Sequence, residues 1–455
     1  MTAISAADID TAVRALRPRL GERLITPDSV DGFEEARRVW NAAVTHQPAL
    51  IARCRDTAEV SAAVRAARDA GLPLSVRAGG HDWAGRALRN GGLVIDLTGM
   101  RAATADPAAR TVTVQGGATT ADLLAATTPH GLVTATGVVS GVGMAGLTTA
   151  GGYGPLVGRF GLALDNLLGA DVVLADGSTV TAGPDGDPEL WWALRGGGAN
   201  FGVVTELRFQ LHALPTVLAG MLLFPFADAG TVLAGYAEIV AAAPDELTVM
   251  TGFLPGPAGP MVFLCPFWSG TDVAAGERAI AALRSLGHPI VDQVGAMPYV
   301  AALSMFDANI VDGNHYLLRS RWLPDLSSTA ADALVAGAAG ISSPFSTLIV
   351  NRFHGAAARV DAGATAFANR VPHQVVEVIA VWPPTDSVDR HRAWADSVAA
   401  ALDPVSLPGG YPNLLGPDDD ARARASFAGN LDRLLTAKRR YDPDNVFSAI
   451  PALVD

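Results

Sequence analysis

The stretch "SVRAGGHDWAG", Ser75 to Gly85, sets a histidine directly behind two glycines at the end of an apolar run. Gly79 and Gly80 let the backbone pass close to a bulky group and can turn successive N–H groups into a concave nest for phosphate oxygens. His81, behind them, has the chemistry of a base, a metal ligand, a covalent anchor or a plain turn residue. About sixty residues on, "GVGMAG" (Gly141 to Gly146) matches a dinucleotide fingerprint literally. The continuation "LTTAGGYGPLVGRFG" is broken by further glycines. It is not expected to open a clean helix, so the better reading is a backbone wrapped around a large flat ligand. A third candidate is Glu377 in "VVEVIAVW", which shares an alternating face with Val375, Ile379 and Val381. A carboxylate on an apolar face must find a partner, and an arginine is the expected one.

These residues need elements to hold them. "DTAEVSAAVRAARDAG" reads as a helix with Asp56 and Glu59 as a capping box and Gly71 as its stop. "LPLSVRAGG" and "GGLVIDLTGM" read as strands, "RTVTVQGGATTADLLAATTPHG" as a strand, a glycine turn and a helix ending at Gly131, and "DVVLADGSTVTA" as a hairpin turning at Asp176-Gly177. "DPELWWALRGGGANFGVVTELRFQL" gives a helix, a glycine loop and a strand. This is an α+β pattern rather than regular alternation. Beyond Pro215 the strands lengthen and alternate ("PMVFLCPFW", "STLIVNRF", "HQVVEVIAVW"), with two amphipathic helices. An antiparallel sheet with helices on one side is expected there. The last segment reads as a helix followed by a "YDPDN" turn.

Composition narrows the function. The 455 residues carry a formal charge of −12 and a single lysine, Lys438, which leaves no basic face for nucleic acid. Cys54 and Cys265 sit in apolar surroundings and read as buried reduced thiols. No metal-ligand spacing occurs, so no metal site is expected. No leader and no membrane-spanning run is visible, and a cytoplasmic protein, monomer or homodimer, is expected.

Five ordered motifs carry a resemblance. "VRAGGHDWAG", "GVGMAGLTTAGGYGPLVGRFGLALDNL", "LWWALRGGGANFGVVTELRF", "ATAFANR" and "FAGNLDRLLTAKRRYDPDNVF" are similar to the FAD-linked oxidases of the vanillyl-alcohol oxidase superfamily, in its berberine-bridge-enzyme branch. The resemblance implies a two-lobed PCMH-type flavoprotein. Its FAD domain would span residues 1–212 and 405–455, the latter the return segment, and a substrate domain 213–404 would lie between them. It implies FAD bound covalently through His81, with Arg77, Ala78, Gly79 and Gly80 around the pyrophosphate and Asp82 elsewhere in the cofactor site. It extends the flavin site to Gly137, Gly141, Val142, Gly143, Gly146, Gly152, Tyr153, Gly154, Val203 and Asn413. Val139 stands where some members carry a second, cysteinyl link, so one bond is expected. Val142 stands at the position whose small size admits dioxygen.

The same resemblance makes Tyr411, in "GGYPNLLG", the first candidate for the catalytic base, its alternative role being a hydrogen-bonding wall of the pocket; Glu377, from its place on the strand face, and His354 are the next candidates. Members acting on hydroxynicotine place a carboxylate and a lysine on the substrate sheet. Here Asn351, Arg352 and His354 occupy that region, which argues against hydroxynicotine. The implied reaction removes a hydride from an alcohol, an amine or an activated C–H carbon of a small ring-containing metabolite. Dioxygen would then reoxidise the flavin to give hydrogen peroxide. A dehydrogenase using another electron acceptor, or a flavin-binding protein without turnover, are the competing classes.

Overall fold

The computed structural model describes residues 4–29, 32–448 and 453. The helix Thr57–Asp69 starts where expected, with the Asp56 carboxylate accepting from Glu59 N at 2.8 Å. The reciprocal half of the capping box does not form. The Glu59 carboxylate accepts instead from Arg23 Nη2 at 2.6 Å and from Arg55 N at 2.8 Å. A charge-assisted guanidinium pair together with the Arg55 N–H outcompetes the single N-cap N–H. Behind this helix, the strand Leu74–Arg77 runs parallel to Leu93–Asp96, which runs parallel to Leu50–Arg53. Leu93, Val94 and Ile95 are fully buried, as a parallel strand covered on both faces must be.

A five-stranded antiparallel sheet completes the first lobe, ordered Ala103–Asp106, Thr111–Gln115, Val203–Gln210, Leu167–Val173, Thr179–Ala182. Its last two strands form the expected hairpin. Gly177 takes a left-handed φ of +78°, and the Asp176 carboxylate accepts from Ser178 N at 2.8 Å.

Between Thr216 and Trp382 lies a nine-stranded antiparallel sheet. Four helices cover one face: Ala229–Ala241, Val273–Arg284, Ser328–Ala339 and Val388–Leu402. A fifth, Tyr299–Ser304, packs on the other side. Sequence periodicity anticipated only two helices, because alanine and glycine stand where an apolar stripe would be read. The face turned to the first lobe carries Met250, Phe263, Cys265 and Phe267, which join Leu123, Phe201 and Leu207 in one buried cluster. The two lobes therefore share a core. Both cysteines are buried free thiols, pushed up to about 12 by burial.

The helix Leu431–Tyr441 closes the chain against the first lobe. Lys438, the one lysine in the sequence, is buried inside it. Its Nζ donates to Asn200 O at 2.8 Å, Asp442 Oδ2 at 2.6 Å and Phe447 O at 2.7 Å. Three acceptors satisfy all three ammonium protons. They tie the "GGGANFG" loop, the helix and the terminal turn together.

Candidate active site

His81 stands where the strand Leu74–Arg77 gives way to a loop. Gly80 takes φ +71°, a conformation other residues adopt only with strain. The loop is pressed against the second glycine segment. A Cβ on Gly79 would lie 2.4 Å from Gly143 N, and one on Gly143 would lie 2.5 Å from Gly79 N. A Cβ on Gly141 would lie 2.8 Å from His81 Nε2, so this glycine leaves room for the imidazole. The imidazole stacks on Trp40, centroids 5.0 Å apart and planes 15° from parallel. Burial lowers its pKa, which favours the neutral ring with a free lone pair.

Among the described residues, the N–H groups of Gly79, Gly80 and His81 donate to no protein acceptor, and neither do those of Ala145 and Gly146. Nothing lies within 4 Å of a Cβ built on Gly146. Unpaired donors beside a left-handed glycine make an anion nest, and these residues fit a pyrophosphate. One expectation changes: a helix, Met144–Ala150, does follow "GVG". Gly151 and Gly152, at φ +150° and +90°, end it after two turns, which is why the glycines hid it.

The other implied flavin residues divide by what they touch. Arg77 turns its guanidinium back, donating to Ala36 O at 2.6 Å. Asp82 pairs with Arg86 at 3.0 Å, and Arg86 donates on to Leu415 O. Both therefore brace the loop. Gly152 and Gly154 leave room for Ala163 and Thr136, and Gly137 for Leu147. Ala78 and Val142 are partly exposed, Ala78 lying against Gly143. Val203 is in the first-lobe core. Asn413 Nδ2 donates to Gly146 O at 2.9 Å, fastening the return segment to the glycine loop.

A cavity lies between the lobes, walled by Val138, Tyr153 and Pro155 on one side and by Met250, Phe267 and Asn351 on the other. The strand His373–Trp382 pairs with Thr347–Phe353 so that Glu377 faces Ile349 and Asn351 faces Val375. Asn351 Nδ2 donates to Glu377 Oε1 at 2.8 Å. This amide, not the expected arginine, is the carboxyl group's partner. It relieves burial only in part: desolvation raises Glu377 to about 7, against the lowering by Asn351.

Tyr411 is buried nearby, edge-on to Tyr153 with centroids 4.7 Å apart. Its hydroxyl accepts from Gly152 N at 2.9 Å, and burial pushes it up to about 12, with the charge of Glu377 adding to the rise. His354 is buried against Gly158, with Nε2 3.2 Å from Thr248 Oγ1. Burial, then Arg352, lowers it to about 3. The structure thus brings Glu377 and Tyr411 together and holds His354 as a neutral packing residue. Sequence reasoning missed Trp40 and also His373, whose Nε2 meets Tyr153 Oη at 3.1 Å while Nδ1 lies 2.7 Å from Val371 O. No spacing rule links residues so far apart in the chain.

Comparison with known proteins identifies the family and the fold. A family model described as FAD binding domain matches residues 48–183, and one described as berberine and berberine like matches residues 410–451. The chain is 32% identical to the (R)-6-hydroxynicotine oxidase of Paenarthrobacter nicotinovorans, over 94% of this chain and 95% of that one. It is 28% identical to the xylooligosaccharide oxidase of Thermothelomyces thermophilus, over 90% and 87% of the two chains. The crystal structure of 6-hydroxy-D-nicotine oxidase from Arthrobacter nicotinovorans matches with a TM-score of 0.85 at 29% identity, covering 95% of this chain and 97% of that one. Berberine bridge enzyme bound to (S)-reticuline shares the fold, with a TM-score of 0.87 at 20% identity and coverage of 99% of each chain.

Proposed function

The chain belongs to the FAD-linked oxidoreductases of the berberine-bridge-enzyme type, and we propose that it is an oxidase in which His81 holds the flavin and Glu377 takes the substrate's proton. The observation that carries this reading is the Asn351–Glu377 hydrogen bond on the sheet face turned to the cleft. Oε1 is occupied by Asn351, so Oε2 is left for a substrate O–H or N–H. A carboxyl group near 7 is half ionised at neutral pH, where a general base works best. Tyr411 near 12 is a poor base, and its oxygen already accepts from Gly152.

Bound FAD would supply the hydride acceptor and a route for the electrons to dioxygen, giving hydrogen peroxide. The chain's own residues orient and enclose. Gly79, Gly80 and His81 offer backbone donors to the pyrophosphate, and the neutral His81 imidazole is the covalent anchor. Val139 in place of a cysteine leaves that anchor single. Val142 leaves a small side chain in the glycine loop, in keeping with dioxygen access. Val375, Ile379 and Ile349 give the sheet face an apolar character around one polar pair, which suits a small ring carrying one hydroxyl or amine. The strand Thr347–Phe353 has no lysine, which argues for a substrate other than hydroxynicotine.

The test is anaerobic mixing with a panel of ring-containing alcohols and amines. At least one compound should bleach the visible flavin band, and admitting air should restore it with equimolar peroxide. Colour restored only by a quinone would make the protein a dehydrogenase.

A further inference from the structure

We propose that Trp40 and Asn41 are positioning residues that set the His81 imidazole for attachment to the flavin, and that the strand His315–Leu323 of the second lobe completes their hold. This rests on the reading of His81 as the attachment point. Trp40 lies flat on the imidazole, 5.0 Å between centroids. Its other contacts fix the indole: Trp83 meets it edge-on at 4.9 Å and Tyr316 leans on it at 4.2 Å. The indole is held there although its Nε1 is buried without an acceptor among the described residues.

Asn41 is 1% exposed and uses its whole amide. Oδ1 accepts from Tyr316 N at 3.0 Å and from Ala43 N at 3.0 Å. Nδ2 donates to Tyr316 O at 3.1 Å and to Trp83 O at 3.2 Å. One side chain thus joins three segments: the loop carrying Trp40, the loop carrying His81, and a strand of the second lobe. A second clamp acts on the facing loop, where the Asp307 carboxylate accepts from Ser140 N at 2.9 Å and from Ser140 Oγ, beside Gly141.

Attachment exchanges a C–H bond of the flavin 8α-methyl group for a bond to an imidazole nitrogen. The methyl carbon and the imidazole each lose a proton. The two electrons pass into the flavin ring system, and dioxygen removes them with the two protons as hydrogen peroxide. Such an attack is sensitive to the approach angle of the nitrogen, and an imidazole free to turn about its side-chain bonds spends little time in line. Stacking removes that freedom. Docking of the second lobe is then a condition of covalent attachment, and not only of substrate binding.

The experiment measures, for the parent and for Trp40→Ala, Trp40→Phe and Asn41→Ala, total bound flavin and the part that survives acid precipitation, during incubation with FAD in air. Trp40→Ala and Asn41→Ala should bind FAD and convert it to the acid-stable form roughly 10²-fold more slowly, the scale set by a misplacement of about 1 Å. Trp40→Phe keeps a ring face and should stay near the parent. If Trp40→Ala does not fold, Trp40→Leu, which fills the space without a face to stack, is read in its place. Attachment at the parental rate in Trp40→Ala overturns the proposal. So does a variant that loses total flavin while all that remains is acid-stable, since that is a merely structural role. A parent whose flavin is wholly acid-labile removes the His81 reading itself, a separate result.

Discussion

Glu377 and Asn351 meet across two neighbouring strands at 2.8 Å, on the face of the sheet that looks into the cleft. The amide gives the carboxylate one hydrogen bond, where full compensation of a buried charge needs two or three.

Activity should follow from that shortfall. Glu377→Gln keeps the shape and the contact but cannot accept a proton. It should slow flavin reduction by roughly 10²–10⁴-fold, with a smaller change in substrate affinity. In the parent, the reduction rate should climb with pH through about 7 as Glu377 ionises, and the variant should lose that inflection. Stopped-flow reduction across pH decides this, and an unchanged pH profile in Glu377→Gln would exclude the residue.

Stability should move the other way. The folded-state pKa of Glu377 is raised, so the folded protein holds a proton that the unfolded chain releases. Stability is fully present below the ordinary carboxyl range and is lost as pH rises through about 7. Glu377→Gln should therefore gain on the parent at pH 8 and lose the advantage at pH 4. Thermal unfolding at the two values checks the sign.

Tyr411 gives the opposite expectation. Its oxygen holds Gly152 N, where the chain runs at φ +90°. Tyr411→Phe should leave reduction at saturation within a few-fold of the parent. It should destabilise the fold by roughly 1–3 kcal/mol, the usual result of leaving a buried donor unpaired. A drop in the reduction rate of the size expected for Glu377→Gln would return Tyr411 to the role of base.

Val142 lies partly exposed in the loop between Gly141 and Gly143. Val142→Leu should slow reoxidation of dithionite-reduced enzyme by dioxygen while leaving reduction by substrate unchanged. Rapid mixing with aerated buffer measures it, and equal reoxidation rates would remove Val142 as the gate.

Much of the first lobe can be read from its residues, because its signals are local. Asp56 caps a helix, Asp176-Gly177 turns a hairpin, and the glycine pair before His81 marks a close approach. Glu59 shows the limit: its choice of Arg23 over the helix end depends on a residue 36 positions away. The base is another such case. Alternation puts Glu377 on the inward face, but only the pairing of two strands puts Asn351 beside it and leaves every arginine elsewhere. Lys438 is unreadable for a similar reason, since an isolated lysine in "LTAKRRY" looks like a solvated helix face and is instead a buried post with three acceptors.

Peptide mapping shows whether His81 is where the flavin is fixed. Trypsin cuts after Arg77 and Arg86, and so releases "AGGHDWAGR", Ala78 to Arg86, with His81 as its only histidine. Mass spectrometry of the digested holoenzyme should find the flavin mass on this peptide alone, with fragment ions assigning it to His81. Flavin on any other peptide, or a digest in which no peptide carries it, would rule out His81 as the anchor.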